Sequence, residues 1–322
     1  MSLQYLRELV KDDFIAVNKC IVSHSHSSIT LASDLISHLI QSGGKRLRPL
    51  LVILASRACH YEGEKHIILA TMMEFFHTAT LLHDDVIDES VLRRGRETAH
   101  EIWGSKASIL AGDYLFVRYM QLMLTLHNQH IMHALTDMAL NVASGEIQQL
   151  TNQHNVGLSE EEYFNVIRSK TSLVFAVSAQ TSALLSEASP DVVQALYQYG
   201  LHLGNAFQLI DDALDYCATP DIIGKNIGND LANGKPTMPL LHAFKQGNAQ
   251  QQSVIQHSLK THSLDYLSEI LATITETQSI AYTQSLAKKE VAQAKTALTA
   301  LSDTPYKKAL IILADYAIAR DH

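Results

Sequence analysis

Apolar and small residues recur at intervals of three and four along much of the chain. Ile67, Ile68, Ala70, Thr71, Phe75, Thr78, Ala79 and Leu82 form one such series, the stripe expected of a helix with one buried face. Residues 105–126 and 159–186 carry the same period. Sustained alternation of apolar and polar positions is missing, together with hairpin turns, so a β-rich fold is not expected. The prolines agree. They fall at Pro49, Pro190, Pro220, Pro236, Pro239 and Pro305, which leaves residues 50–189 without a residue that breaks helix interiors. Interruptions predict turns near Ser42-Gly43-Gly44, Tyr61-Glu62-Gly63, Arg93-Arg94-Gly95, His127-Asn128, Asn155-Val156-Gly157 and Ala188-Ser189-Pro190. The strongest loop signal is 217–236, with Pro220, Gly224, Gly228, Gly234 and Pro236. No hydrophilic linker separates domains, so residues 1–322 read as one all-helical domain.

Composition narrows the function. A net charge of −8 argues against a nucleic-acid partner, whose backbone is held by surplus Lys and Arg. The three cysteines, Cys20, Cys59 and Cys217, lie far apart with no C-x-x-C, so neither a disulfide framework nor a zinc knuckle is expected. A reducing cytoplasm fits. Met1 to Glu8 do not read as a signal peptide. No apolar run approaches the ~18–20 residues of a membrane span.

Two copies of one carboxylate pattern carry the chemistry. Asp84-Asp85-Val86-Ile87-Asp88 and Asp211-Asp212-Ala213-Leu214-Asp215 each read D-D-x-x-D, and each ends an apolar run. Three Asp in five residues repel one another and oppose helix formation. On a helix Asp84 and Asp88 are about 40° apart and Asp85 within about 60° of Asp88, so the three fan out on roughly one side. Oxygen donors without His or Cys suit a hard cation such as Mg²⁺, which takes a few carboxylates and completes its shell with water and substrate phosphates. A solvated acidic helix face is the competing reading. It weakens here because the pattern occurs twice, each time after an apolar stretch that should turn part of the fan inward.

A basic set accompanies the acids. Gly43-Gly44-Lys45-Arg46-Leu47-Arg48-Pro49 places three cations behind a glycine pair at a predicted helix start, where backbone N–H groups and the helix dipole favour an anion. Arg93-Arg94, Lys170-Thr171, Lys225 and Lys235 are further candidates, each more often a surface charge when taken alone. The Walker pattern is not present. Together the acids and bases imply metal-bound diphosphate beside a second anion, in an otherwise apolar setting.

With these segments in hand, the chain resembles the trans-type isoprenyl diphosphate synthases. The matching segments are GGKRLRP at 43–49, EFFHTATLLHDDVIDESVLRRG at 74–95, GD at 112–113, GEIQQL at 145–150, KT at 170–171, FQLIDDALDY at 207–216 and GKNIGNDLANGKPTMPLL at 224–241. Within that family the chain is most similar to the bacterial octaprenyl diphosphate synthases of quinone biosynthesis, an impression that ALIILADYAIARDH at 309–322 strengthens. The resemblance implies mostly antiparallel helices around a deep central cavity, usually in a homodimer, and about three Mg²⁺ per active site. It assigns Asp84, Asp85, Asp88, Asp211 and Asp212 to the metal, with Asp215 completing the second motif from further out. Arg93, Lys170, Lys225 and Lys235 would contact the allylic diphosphate. Lys45, Arg48, His77 and Arg94 would bind isopentenyl diphosphate. Thr171 and Gln208 would line the reacting carbons and steady positive charge.

The implied reaction ionises the allylic C–O bond once charge on the leaving diphosphate is neutralised. The isopentenyl double bond, held alongside, traps the cation, a proton is lost and the chain grows by one isoprene unit. The expected primer is farnesyl diphosphate, the expected product a long all-trans polyprenyl diphosphate, and transient membrane contact would serve product release. Product length reads as packing. Ala79 and Thr80 lie about one turn before Asp84, where short-product relatives place bulky aromatics, so two small residues leave that level open. The Met120–Met123–Leu124 stretch is a candidate floor, with Met123 at its centre.

Rival readings leave more unexplained. Glu74-Phe75-Phe76-His77 and Glu97-Thr98-Ala99-His100 are both E-x-x-H, as in carboxylate-bridged di-iron bundles, but that reading leaves both Asp clusters idle. A catalytically silent subunit of a heteromeric synthase would be expected to lose acids or bases that this chain retains. A terpene cyclase would not need a second Asp fan in this form. One departure from the family pattern is Asn229, where relatives often carry an Asp beside Asp230.

Overall fold

The computed structural model describes residues 3–41, 44–93, 95–217 and 227–320. Arg94, Lys225 and Gly43, singled out above, lie outside the described residues.

Seventeen α-helices account for most of the described residues. In chain order they are α1 (Leu3–Leu9), α2 (Lys11–Ser25), α3 (Thr30–Gln41), α4 (Leu47–Ala58), α5 (Lys65–Ile87) and α6 (Ala99–Trp103). Next come α7 (Ser105–Thr125), α8 (Gln129–Asn152), α9 (Glu160–Ile167), α10 (Leu173–Leu185), α11 (Pro190–Leu214) and α12 (Asn229–Ala232). The series closes with α13 (Met238–Gln246), α14 (Ala249–Thr261), α15 (Leu267–Glu276), α16 (Ser279–Ala297) and α17 (Pro305–Ile318). Breaks near 61–63, 127–128, 155–157 and 188–190 fall where the sequence places them. Those at 26–29, 247–248 and 262–266 are not among the expected turns, and α12 lies inside the expected 217–236 loop. Ser159 and Asn248 start α9 and α14 with reciprocal capping boxes, to Glu162 and Gln251.

Two local features depart from the pattern reading. Leu92–Arg93 and Arg96–Glu97 pair as a minimal antiparallel hairpin. Two residues per strand are too few to show alternation. The period over 159–186 predicts one helix, but it is interrupted by a π-turn over Arg168–Ser172 between α9 and α10. One extra residue per turn barely changes an apolar period, so sequence does not show it.

The chain divides into two compact units: residues 1–135, 178–194 and 301–310, and residues 136–177, 195–300 and 311–322. The first is built on α4 and α5, whose middle turns are buried. Leu50 to Ala55 of α4 and Leu69, Ala70, Met72, Met73 and Phe75 of α5 are inaccessible to solvent. The second has a core of Tyr216, Leu231, Leu240, Ala243, Ile255, Leu259, Ile270 and Ile274. Among the described residues no helix is long and apolar enough to cross a membrane.

Candidate active site

The first aspartate cluster ends α5 in the first unit. Asp85 is completely buried, Asp84 is half-buried, and Asp88 sits at the helix C-cap with its N–H on the Asp84 carbonyl at 2.8 Å. Arg93 forks onto Asp85 Oδ1, its Nε and Nη2 both at 2.7 Å. The other oxygen, Asp85 Oδ2, is buried without a hydrogen-bond partner. The chain reverses just after α5, where Glu89 takes a left-handed backbone at φ 48° and the Ser90 N–H donates to the Asp85 carbonyl at 3.0 Å.

The basic segment at the start of α4 belongs to the same unit. Lys45 and Arg48 are half-buried there, and Arg7 donates to the Lys45 carbonyl at 2.8 Å. Arg46 behaves differently from its neighbours. It adopts a left-handed backbone at φ 48° and pairs with Glu74 at 2.8 Å, both side chains mostly buried. Glu74 of the first E-x-x-H motif is therefore committed to an arginine. A small pocket of about 20 Å³ there is lined by Gly44, Arg46, Glu74, His77, Leu81 and Arg93. Ala79 is buried and Thr80 half-buried. About one turn earlier on α5, Phe76 packs against Tyr119 and Phe116 of α7, ring centroids 5.3 and 6.1 Å away. Of the Met120–Met123–Leu124 stretch only Met123 is buried; Met120 and Leu124 are exposed.

The second cluster, on α11, belongs to the second unit. Asp212 is buried, and it accepts hydrogen bonds from Tyr163 Oη at 2.5 Å and Gln208 Nε2 at 2.7 Å. Burial pushes its carboxyl up to about 7, and the bonds from Tyr163 and Gln208 only partly oppose that push. Asp211 lies 2.9 Å from Arg320 Nη2. Asp215 accepts the backbone N–H groups of Asn229 and Asp230 at 3.2 and 2.9 Å, fastening the start of α12 to the end of α11. This ties its carboxylate to the backbone that presents Asp230.

A pocket of about 110 Å³ in this unit gathers residues distant in sequence: Lys170, Thr171, Gln208, Asp212, Asp230 and Lys235 among its lining. Lys170 is held by Glu146 at 2.8 Å and Gln149 at 3.0 Å, and Thr171 donates to Gln208 Oε1 at 2.9 Å. Sequence reasoning missed Tyr163 and Glu290 altogether and gave Glu146, within GEIQQL at 145–150, no role in this site. A tyrosine on an amphipathic helix reads as core, and single glutamates read as surface, so no local signal marks them.

The carboxylates fit a hard divalent cation. Their donors are all oxygen, one Asp85 oxygen is buried without a partner, and buried Asp212 is poised to ionise beside added positive charge.

A family model for polyprenyl synthetases matches residues 29–274. The chain belongs to the polyprenyl synthetase family. It is accordingly a polyprenyl diphosphate synthase, a transferase that lengthens prenyl chains. The synthase is 42% identical over 323 residues to octaprenyl diphosphate synthase from Haemophilus influenzae, covering 100% of this chain and 98% of that one. It is 41% identical to the Escherichia coli octaprenyl diphosphate synthase, with both chains covered over 100% of their length. A crystal structure of polyprenyl synthase from Caulobacter crescentus, complexed with calcium and isoprenyl diphosphate, superposes with a TM-score of 0.96 at 36% identity, covering 100% of this chain and 98% of that chain. The all-helical expectation is thus met.

Proposed function

We propose that the synthase condenses isopentenyl diphosphate with farnesyl diphosphate to make octaprenyl diphosphate for quinone side chains. Identity of 41–42% to two octaprenyl synthases along the whole chain is the observation that carries this reading. The small residues Ala79 and Thr80 before the first cluster support a long product. We read residues 1–322 as one catalytic domain, because the family match runs through residues of both compact units.

Asp84, Asp85, Asp88, Asp211 and Asp212 are the carboxylates assigned to Mg²⁺, with Asp215 fastening the Asp230 segment to the end of α11. About three Mg²⁺ would neutralise diphosphate charge and make it a better leaving group. Lys170 and Lys235 offer their ammonium groups to the allylic diphosphate, and Arg93 and Lys225 are assigned to it also. Thr171 and Gln208 present dipoles to the reacting carbons. Lys45, Arg48, His77 and Arg94 hold isopentenyl diphosphate so that its double bond meets the cation as it forms. Apolar walls keep water from the cation.

A homodimer is part of the proposal. Leu110, Val117 and Leu124 stand exposed at seven-residue spacing along α7, a stripe that water alone would not favour. Action in the cytoplasm, with brief membrane contact for product release, completes it.

The test is incubation of the purified chain with farnesyl diphosphate, isopentenyl diphosphate and Mg²⁺, followed by chromatographic sizing of the dephosphorylated products. Octaprenol as the main product supports the reading. A main product of another length overturns the octaprenyl assignment. No turnover by the chain alone would place it with silent subunits. Chelation by EDTA should abolish activity, and added Mg²⁺ should restore it.

A further inference from the structure

The π-turn over Arg168–Ser172 carries Lys170 and Thr171 into the pocket of the second unit. A π-turn is poor helix and persists only where neighbours hold it. Glycines on two helices let the backbone come close. A Cβ on Gly145 of α8 would lie 2.5 Å from Ser169 Cβ, and one on Gly204 of α11 only 2.4 Å from Ser172 Cα.

Two successive hydroxyls of the turn then meet two amides three residues apart on α11. Thr171 Oγ1 donates to Gln208 Oε1 at 2.9 Å, and Gln208 Nε2 donates to Asp212 at 2.7 Å. Ser172 Oγ donates to Asn205 Oδ1 at 2.6 Å, and Asn205 Nδ2 donates to Glu290 Oε2 of α16 at 2.8 Å. His202 Nδ1 reaches the same Glu290 oxygen at 2.7 Å. Ser172 and Asn205 are buried, to 0% and 1% exposure. The first chain ends at a candidate metal carboxylate. The second ends at a glutamate outside every motif of the family resemblance.

A carboxylate can only accept hydrogen bonds. Glu290 therefore fixes which way the Asn205 amide faces, with its NH₂ toward α16 and its oxygen toward Ser172. That oxygen is the nearer of two acceptors for the Ser172 hydroxyl, at 2.6 Å against 3.3 Å for the Ile167 carbonyl, and it pins the end of the π-turn to α11. With the acceptor lost, the amide is free to flip and would present NH₂ to the serine hydroxyl, leaving the turn to relax toward regular helix. That relaxation would rotate Lys170 and Thr171 by a large fraction of a turn.

We propose that Glu290 is a positioning residue for the π-turn, acting through Asn205 and Ser172 to aim Lys170 and Thr171. This rests on the assignment of Lys170 to the allylic diphosphate. The experiment compares steady-state kinetics of E290A, E290Q, S172A, the S172A/E290A double variant and K170A, with K295A as a control on the same helix. E290A and S172A should each lower kcat about tenfold, the scale of a small misplacement of reacting groups. KM for isopentenyl diphosphate should stay the same. E290Q keeps an acceptor for Asn205 and should restore most of the rate. The double variant should be no slower than the slower single variant, because both cut one chain. K295A should keep the parent rate.

Unchanged kcat in S172A overturns the proposal even where E290A fails to fold. So do multiplying losses in the double variant, or an E290Q as slow as E290A. A K170A enzyme with unchanged kinetics overturns the Lys170 assignment and the proposal with it. A slow K170A beside a normal E290A overturns the positioning role alone.

Discussion

Arg320 holds Asp211. Its Nη2 lies 2.9 Å from Asp211 Oδ1, its guanidinium carbon 3.6 Å from the Phe207 ring centroid, and it donates to the Phe207 carbonyl at 3.0 Å. The arginine side chain is only 5% exposed. A residue beyond the end of the last helix thus braces the helix that carries the second aspartate cluster. Arg320→Met should lower unfolding free energy by about 2 kcal/mol, the worth of a desolvated cation–π contact. Arg320→Lys should not recover it, since an ammonium lacks the planar fork that stacks and donates at once. Urea denaturation of the variants measures this.

Arg46 and Glu74 form a second tie, at 2.8 Å, with 14% and 11% of their side chains exposed. Removing one partner leaves a buried charge. Arg46→Met should cost about 3 kcal/mol of stability. It should also raise KM for isopentenyl diphosphate more than KM for the allylic substrate, since Arg46 sets the backbone between Lys45 and Arg48. Denaturation curves and initial rates with each substrate varied would show both effects.

Product length should respond to α5 in opposite directions. Ala79→Phe brings an aromatic ring to the level before Asp84 and should shorten the product. Phe76→Ala opens the Phe76–Phe116–Tyr119 cluster and should lengthen it. Chromatography of dephosphorylated products decides, and unchanged length in both variants would remove α5 from length control.

Acid should destabilise the first unit through Asp13, Arg57 and His66. Arg57 forks onto Asp13, Nε and Nη2 each at 2.7 Å, and buried His66 lies 3.1 Å from the same carboxylate. Burial pushes Asp13 up, but Arg57 and His66 outweigh it and hold the carboxyl below its usual 3.8. Burial holds His66 below its usual 6.5, which the nearby Asp13 only partly opposes. Both groups have depressed values in the fold. The stability each provides is complete above its unfolded value and is lost as pH falls, from about 6.5 downward for His66 and from about 4 downward for Asp13. Thermal midpoints should fall over those windows. His66→Phe should flatten the upper one, and Asp13→Asn should remove the lower.

The sequence by itself determined the all-helical class, several of the breaks and the kind of chemistry. Helical periodicity, proline placement and two D-D-x-x-D clusters are properties of short stretches of chain, so they are visible without a fold. The family resemblance assigns Asp212 to the metal, Lys170 and Lys235 to the allylic diphosphate and Thr171 and Gln208 to the reacting carbons, and these five residues line one pocket. Only the tertiary structure decided what each charge does. Lys45, Arg46 and Arg48 look alike in the chain, and only the fold shows Arg46 drawn onto Glu74 at 2.8 Å. Asp84 and Asp85 are adjacent, but Asp85 is buried against Arg93. The Tyr163 bond to Asp212 and the reach of Glu290 to Asn205 join residues tens of positions apart. Hydrogen bonds and ion pairs act over about 3 Å. Which groups come that close is set by helix packing, and no window of sequence contains it.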